Sequence, residues 1–220
     1  MWKDQYTVDY FYISLINWVN SNMRIFPWRK PKIHPYNLLI AEVLLQRTYS
    51  GKVINVYEQF IERYSSPLCL ANSNVDEIED LINPLGLSKI KAKALKKIGE
   101  IITQDYSGTM PSNIADLKKM PLVGNYTANA VMCFAYGQRK AIVDGNVKRI
   151  FSRFWSLSTK ESDCWLLAEK IVERVPECFI RQYNYSLLDF AASICIANEP
   201  RCLGCILINK CHYFTKLKAL

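Results

Sequence analysis

No uninterrupted apolar run in this 220-residue chain reaches the length that crosses a bilayer, which sets aside a helical membrane protein. The N-terminus begins Met1-Trp2-Lys3-Asp4 and has no apolar core, so no secretory signal is visible. No segment alternates apolar and polar residues as a half-buried strand does, which argues against β-rich classes. Internal repeats and low-complexity tracts are missing too. So is the composition of a disordered chain: half of the residues are hydrophobic, with thirteen Tyr, nine Phe and five Trp, enough for a sizeable core.

What is present is helical periodicity. Val8, Phe11, Tyr12, Leu15, Ile16 and Val19 repeat at three and four residues, and so do Val53, Val56, Tyr57, Phe60, Ile61 and Tyr64. Residues 88–104 repeat it more loosely, with Ile90, Ala94, Ile98 and Ile101 expected to face inward. The segments 124–136, 145–155, 163–175 and 183–194 also read as helices. The few glycines and prolines sit mainly at the joints between them, among them Pro84, Gly86, Pro121, Gly124 and Gly145. An all-α protein of about ten short helices is expected. The formal net charge of +8 favours a polyanionic partner, nucleic acid before an acidic membrane surface.

Eight cysteines without a secretory signal fit a reducing compartment. Cys69, Cys133, Cys164 and Cys178 lie apart and read as core residues. Cys195, Cys202, Cys205 and Cys211 crowd into a C-x6-C-x2-C-x5-C pattern near the C-terminus. Four thiolates that close in sequence suit one soft metal centre, zinc or an iron–sulfur cluster. The uneven gaps are wrong for a zinc ribbon. Buried structural cysteines and disulfides are the competing readings.

Residues 117–137 read as a helical hairpin. Pro121 cannot continue the first helix, Leu122-Val123-Gly124 makes a tight turn, and Tyr126 lies in the first turn of the second helix. Backbone N–H groups at such a helix start bind phosphate, and Lys118 and Lys119 add positive charge beside them. In the next joint, Asp144 reads as the N-cap of a helix that carries Lys148, Arg149 and Arg153. The positive end of a helix favours the charged form of a carboxylate. A carboxylate held there also suits stabilisation of an oxocarbenium-like sugar, as in glycosidases. Glu42 interrupts the apolar stretch Leu38–Leu45. It is either a buried general acid or water-positioning base, or part of a narrow solvent stripe with Gln46 and Tyr49.

Taken together, Phe26-Pro27-Trp28-Arg29, Leu44-Leu45-Gln46-Arg47-Thr48, the hairpin, Asp144-Gly145-Asn146-Val147 and the four cysteines resemble, in order, the helix–hairpin–helix DNA glycosylases of the endonuclease III superfamily. The resemblance runs from about Phe26 to Cys211. It implies two helical lobes with a DNA-binding cleft: a six-helix barrel over 23–138, and a lobe of 1–22 plus 139–220 with a [4Fe-4S] cluster on Cys195, Cys202, Cys205 and Cys211. It implies Asp144 as the catalytic aspartate and Gln46 and Arg47 as a wedge that fills the space left by a flipped nucleotide. The cluster then orders a loop that presents Arg201 and Lys210 to DNA. The lysines at 89, 91, 93, 96 and 97 are either a further DNA-binding face or a solvated one.

Members of that superfamily that also cut the strand carry a lysine where this chain has Tyr126. A monofunctional glycosylase without efficient lyase activity is therefore expected, with Tyr126 against the flipped base or sugar and Glu42 protonating the base or orienting water. The sequence resembles the mismatch-acting branch. Arg47-Thr48-Tyr49-Ser50-Gly51, Gly86-Leu87-Ser88 and Leu188-Asp189-Phe190 look like thymine mismatch enzymes, which remove T or U opposite G. Asp144-Gly145-Asn146 looks like adenine glycosylases (MutY-like), in which the Asn assists catalysis and a further C-terminal domain is usual; this chain stops at Leu220. One departure is Leu122, where the family's hairpin usually has Gly; its side chain is expected to tilt the turn or crowd a phosphate. The partner implied is double-stranded DNA with a mismatched base, met by a monomer at the nucleoid in the cytoplasm, with no membrane partner. The rival classes are a non-catalytic DNA-binding module and a zinc-stapled helical interaction protein.

Overall fold

The computed structural model describes residues 4–218, which form twelve α-helices and no strand. In chain order these are α1 (Gln5–Val19), α2 (Pro35–Leu45), α3 (Ser50–Arg63), α4 (Pro67–Ala71), α5 (Val75–Ile82), α6 (Ser88–Asp105), α7 (Ile114–Leu117), α8 (Asn125–Phe134), α9 (Gly145–Trp155), α10 (Glu161–Arg174), α11 (Ile180–Ser193) and α12 (His212–Lys218). None is long and apolar enough to cross a membrane. Contacts divide the chain into two compact units. One is Ile25–Gln138, and the other joins the residues up to Arg24 to those from Arg139 onward.

The unit of residues 25–138 is built around α2. Pro35 occupies the first helical position and the His34 side chain accepts from the Tyr36 N–H, so the start is fixed by two local devices. Tyr36 and every residue from Leu38 to Leu44 are buried, Glu42 among them. A helix apolar all round must lie inside, and α2 packs against α3, α6 and α8. α6 crosses α4 so closely that a Cβ added at Gly99 would stand 2.7 Å from the Ala71 backbone nitrogen.

On α6 the buried stripe is Lys91, Ala92, Ala94, Leu95, Ile98, Gly99 and Ile102. This corrects the expectation for Ile90, which is exposed at 56%, and for Ile101, which is only half-buried. The face is set by small residues that admit the α4 backbone, and apolarity alone did not reveal it. The other correction concerns the isolated cysteines. Cys133 and Cys164 are core residues, but Cys69 and Cys178 are exposed. Cys69 lies in the first turn of α4 beside the capping Ser66, and Cys178 lies in a single 3-10 turn, Glu177–Phe179.

In the second unit α1 lies along α11 and α10, and α9 packs on α11, α12 and α10. Its core is aromatic. Phe11 contacts Phe151, Phe154 and Trp155 with ring centroids 6.0, 4.9 and 4.5 Å away, geometries that add to the area buried. Asp189, wholly buried on α11, accepts from the Arg24 backbone N–H at 3.0 Å and its Nε at 2.7 Å. The Asn184 amide donates to Lys140 O at 2.9 Å, which ties down the strand-like segment leading to Asp144.

Candidate active site

Buried Ile142 and Val143 carry the chain outward to Asp144, which is half-exposed. Asp144 has extended backbone and caps α9. Its Oδ1 accepts from the Val147 N–H at 2.8 Å, and its Oδ2 accepts from Asn146 Nδ2 at 2.7 Å. A carboxylate offers about four lone-pair directions, so two such bonds orient it without saturating it. Asn146 is fixed in turn, because its Oδ1 accepts from Arg149 Nη1 at 3.0 Å. Arg149 also donates through Nε to Cys195 O at 2.9 Å and through Nη2 to Ala191 O at 3.0 Å. Arg149 therefore links the cysteine loop, whose Cys195 carbonyl accepts from it, through Asn146 to the aspartate.

That loop follows α11 and contains two 3-10 turns, Cys202–Gly204 and Ile208–Lys210. Arg153 donates to Ile196 O and Ala197 O at 2.6 Å each and approaches Cys195 Sγ at 3.5 Å, while Cys211 Sγ lies 3.6 Å from Arg153 O. Burial pushes the Cys205 thiol up to about 11, and Cys211, Cys195 and Cys202 add to the rise; Cys211 and Cys202 are raised by burial and by neighbouring thiols as well. The sulfurs are thus electrostatic neighbours, and none is in a disulfide. Among the described residues no three His, Cys, Asp or Glu stand close enough to share one metal ion. Tetrahedral zinc would hold its thiolates about 3.8 Å apart, twice the 2.3 Å bond foreshortened by the angle. An iron–sulfur cube carries its thiolates on separate irons, spread more widely, and accepts N–H bonds at sulfur. The four thiols, with Arg153 beside Cys195, are a soft donor set of the kind that suits zinc or an iron–sulfur cluster.

Lys210 is half-exposed on this loop. Its Nζ sits 3.7 Å from the centroid of the Tyr6 ring, and Tyr10 Oη donates to Ile206 O at 2.7 Å, so α1 buttresses the loop. Arg201 is exposed.

In the unit of residues 25–138, Glu42 is 6% exposed, which settles the two sequence readings in favour of burial. Gln46 is half-buried and Tyr49 is 75% exposed, so the three do not form one solvent stripe. Gln46 Nε2 donates to Leu122 O at 2.7 Å, joining the wedge candidate to the hairpin turn. Arg47 is exposed and has left-handed backbone at φ 53°.

The hairpin joins α7 to α8. Leu122 takes φ 63°, a conformation glycine adopts at no cost, and Val123 is buried under it. Gly124 precedes α8 with no side-chain cap and with open space where a Cβ would lie, leaving room for a ligand to approach the backbone. Tyr126, the second residue of α8, is half-buried. Lys118 donates to Asn125 Oδ1 at 2.7 Å and Lys119 pairs with Asp116 at 2.6 Å, both on the surface.

Leu87 entered the sequence reading only within the Gly86-Leu87-Ser88 stretch, with no role of its own. It is 46% exposed, with φ 54° directly after Gly86 at φ 72°, and Thr48 Oγ1 donates to Leu85 O at 2.8 Å to hold its turn against the Gln46–Thr48 loop. An apolar residue after a joint glycine was the available signal. Of the lysine row on α6, Lys91 is buried, which corrects both alternatives for it, while Lys96 is half-exposed and donates to Ser73 O at 2.8 Å.

Residues 40–177 match the family described as HhH-GPD superfamily base excision DNA repair protein. The chain is 34% identical over 219 residues to the thymine/uracil-DNA glycosylase of Pyrobaculum aerophilum, covering 95% of this chain and 94% of that protein. It is 31% identical over 210 residues to the adenine DNA glycosylase of Buchnera aphidicola, covering 94% of this chain and 59% of that one. The solved structure of a thermostable thymine-DNA glycosylase superposes with a TM-score of 0.89 at 34% identity, covering 96% of this chain and 97% of that one.

Proposed function

The chain belongs to the HhH-GPD superfamily of base excision DNA repair proteins, and we propose that it is a monofunctional DNA glycosylase that removes thymine or uracil opposite guanine. The carrying observation for the chemistry is Asp144, a half-exposed carboxylate oriented through both oxygens at the start of α9. The choice of base rests on likeness along nearly the whole length of a thymine/uracil-DNA glycosylase.

A mispaired base costs less to extrude than a paired one, so selection begins at flipping. Leu122, Val123 and Gly124 with the start of α8 would bind a backbone phosphate, helped by Lys118 and Lys119. Gln46 and Arg47, joined by Leu87, would fill the vacated stack. As the C–N bond lengthens, positive charge grows on the deoxyribose and the Asp144 carboxylate stabilises it, while Asn146 holds the carboxylate in place. Glu42 would orient the attacking water or donate a proton to the departing base. Tyr126 would pack on the flipped nucleotide. It has no amine to form a Schiff base, so the product is an abasic site and the strand stays intact. Cys195, Cys202, Cys205 and Cys211 would hold a [4Fe-4S] cluster, which when bound supplies cohesion to the loop against which Arg149 and Arg153 are anchored.

One observation favours a second reading. Asn146 bonds Asp144, at the place where the sequence resembles adenine glycosylases, and an adenine enzyme is among the relatives. A panel of end-labelled duplexes carrying T:G, U:G, A:G and A opposite oxidised G decides. Alkali-dependent cleavage at T:G or U:G is expected. Cleavage at adenine alone would transfer the assignment, and release from none of them would sink both.

A further inference from the structure

Five lysines line α6, and one of them points inward. Lys91 is 1% exposed, whereas Lys89, Lys93 and Lys97 are exposed. A buried lysine is rare and costs desolvation, which here pushes its pKa down to about 8. Its Nζ donates to Leu44 O at 2.8 Å and to Thr48 Oγ1 at 2.7 Å. Leu44 O belongs to the last turn of α2, where carbonyls lack helical partners and a cation is favoured. Thr48 passes the tie on, because its hydroxyl donates to Leu85 O at 2.8 Å, next to Gly86 and Leu87.

One buried cation is therefore the common anchor of two loop tips. The first carries Gln46 and Arg47, and the second carries Leu87. Each tip bends through left-handed backbone, Arg47 at φ 53° and Leu87 at φ 54°, and each presents an exposed side chain. Left-handed conformations at non-glycine residues persist only where surrounding contacts hold them.

We propose that Lys91 is a positioning residue that fixes the Gln46–Arg47 tip and the Leu87 tip at a constant separation, so that both enter the duplex as one wedge when the target nucleotide is extruded. This rests on the glycosylase reading above. Lys91 touches neither substrate nor reacting atoms in this scheme; it acts through Thr48 and the end of α2.

The test uses the full chain with Lys91→Met, which keeps the stem and removes the charge, and Thr48→Val, which removes the hydroxyl relay and serves if the first variant folds poorly. In the free protein, amide exchange across residues 46–49 and 85–88 is expected to rise together in either variant, by about tenfold, the size set by one charge-assisted hydrogen bond. Amides of α8 are expected to stay protected. On a T:G duplex with 2-aminopurine beside the target, the unstacking signal and single-turnover excision are expected to fall by about tenfold, and the double variant should lose no more than either single one. Affinity for undamaged duplex should hold. Unchanged exchange at either tip overturns the proposal, and so does an equal loss of undamaged-duplex affinity, which marks a general structural defect. A parent protein inactive on every mismatch counts against the glycosylase reading instead, and the exchange result still decides the role of Lys91.

Discussion

Substituting Asp144→Asn separates capping from catalysis, because the surrounding hydrogen bonds have a fixed direction. Asn caps a helix as well as Asp does, so the bond from the Val147 N–H survives. The other oxygen does not survive as an acceptor. Asn146 Nδ2 donates to it, and Asn146 cannot turn its amide round without presenting a donor to Arg149, whose Nη1 already donates to its Oδ1. One half-exposed bond is therefore lost, at a cost of about 1 kcal/mol. In a protein of this size that lowers the melting temperature by about 2–4 °C. Removing an oriented group that stabilises transition-state charge costs about 2.7–4 kcal/mol, or 10²–10³ in rate. Single-turnover excision from a labelled T:G duplex with alkaline strand cleavage, paired with a thermal melt, reads both quantities. The expected result is a rate loss of at least a hundredfold with a melt shifted by a few degrees. Excision within threefold of the parent protein would remove Asp144 from the mechanism. A melt lowered by more than about 10 °C would make the cap and its network structural in the first place.

Leu122→Gly relieves a left-handed leucine worth about 1–2 kcal/mol, but glycine's flexibility and the lost half-buried side chain return a similar amount, so stability should stay within about 1 kcal/mol. Undamaged-duplex binding, measured by anisotropy, should tighten; no change would mean that Leu122 crowds no phosphate. Gly99→Ala gains about 1 kcal/mol of helix propensity yet places a Cβ 2.7 Å from the Ala71 backbone nitrogen, so a lower melting temperature is expected in a thermal scan. Cys205→Ala should abolish iron retention after anaerobic purification and lower the melting temperature; iron kept at parent stoichiometry would remove Cys205 from the ligand set.

Much of the fold is legible locally. The stripes on α1 and α3 are core apart from half-buried Tyr12 and Ile61, because a 3.6-residue repeat has no other way to bury its apolar side. Asp144 as an N-cap follows from its residue type before Gly145, and the structure has that cap. The misreadings share one cause, which is that partners distant in sequence decide them. Ile90 and Lys91 exchange their expected places because α6 meets Gly99-facing backbone on one side and Leu44 and Thr48 on the other. Glu42 was open to two readings because helical spacing alone does not tell a buried polar position from a solvent stripe on a helix this apolar. Leu87 was given no role of its own because its significance lies in a positive φ and in the tie between Thr48 and Leu85 O, which holds its turn from some forty residues earlier.

The same distinction bears on how the net charge of +8 acts on DNA. Several of its cations are committed inside the units. Arg149 and Arg153 hold carbonyls of the cysteine loop, Arg139 holds Val175 O at 2.6 Å, and Lys91 holds the end of α2. Lys91 is buried and out of reach of a phosphate, and the three arginines have donors already turned to backbone carbonyls. Lys118 is different, since it sits on the surface at the hairpin, where it donates to the Asn125 amide oxygen and, among the described residues, has no carboxylate partner. Binding of undamaged duplex across a salt series separates the two kinds. Each phosphate contact contributes about 0.9 to the slope of log K against log salt. Lys118→Gln should therefore flatten the slope by nearly one at unchanged stability. Arg153→Gln should leave the slope alone and lower the melting temperature, because it releases Ile196 O and Ala197 O. A slope that flattens equally in both would mean that total charge, and not the placement of each cation, governs how the protein grips DNA.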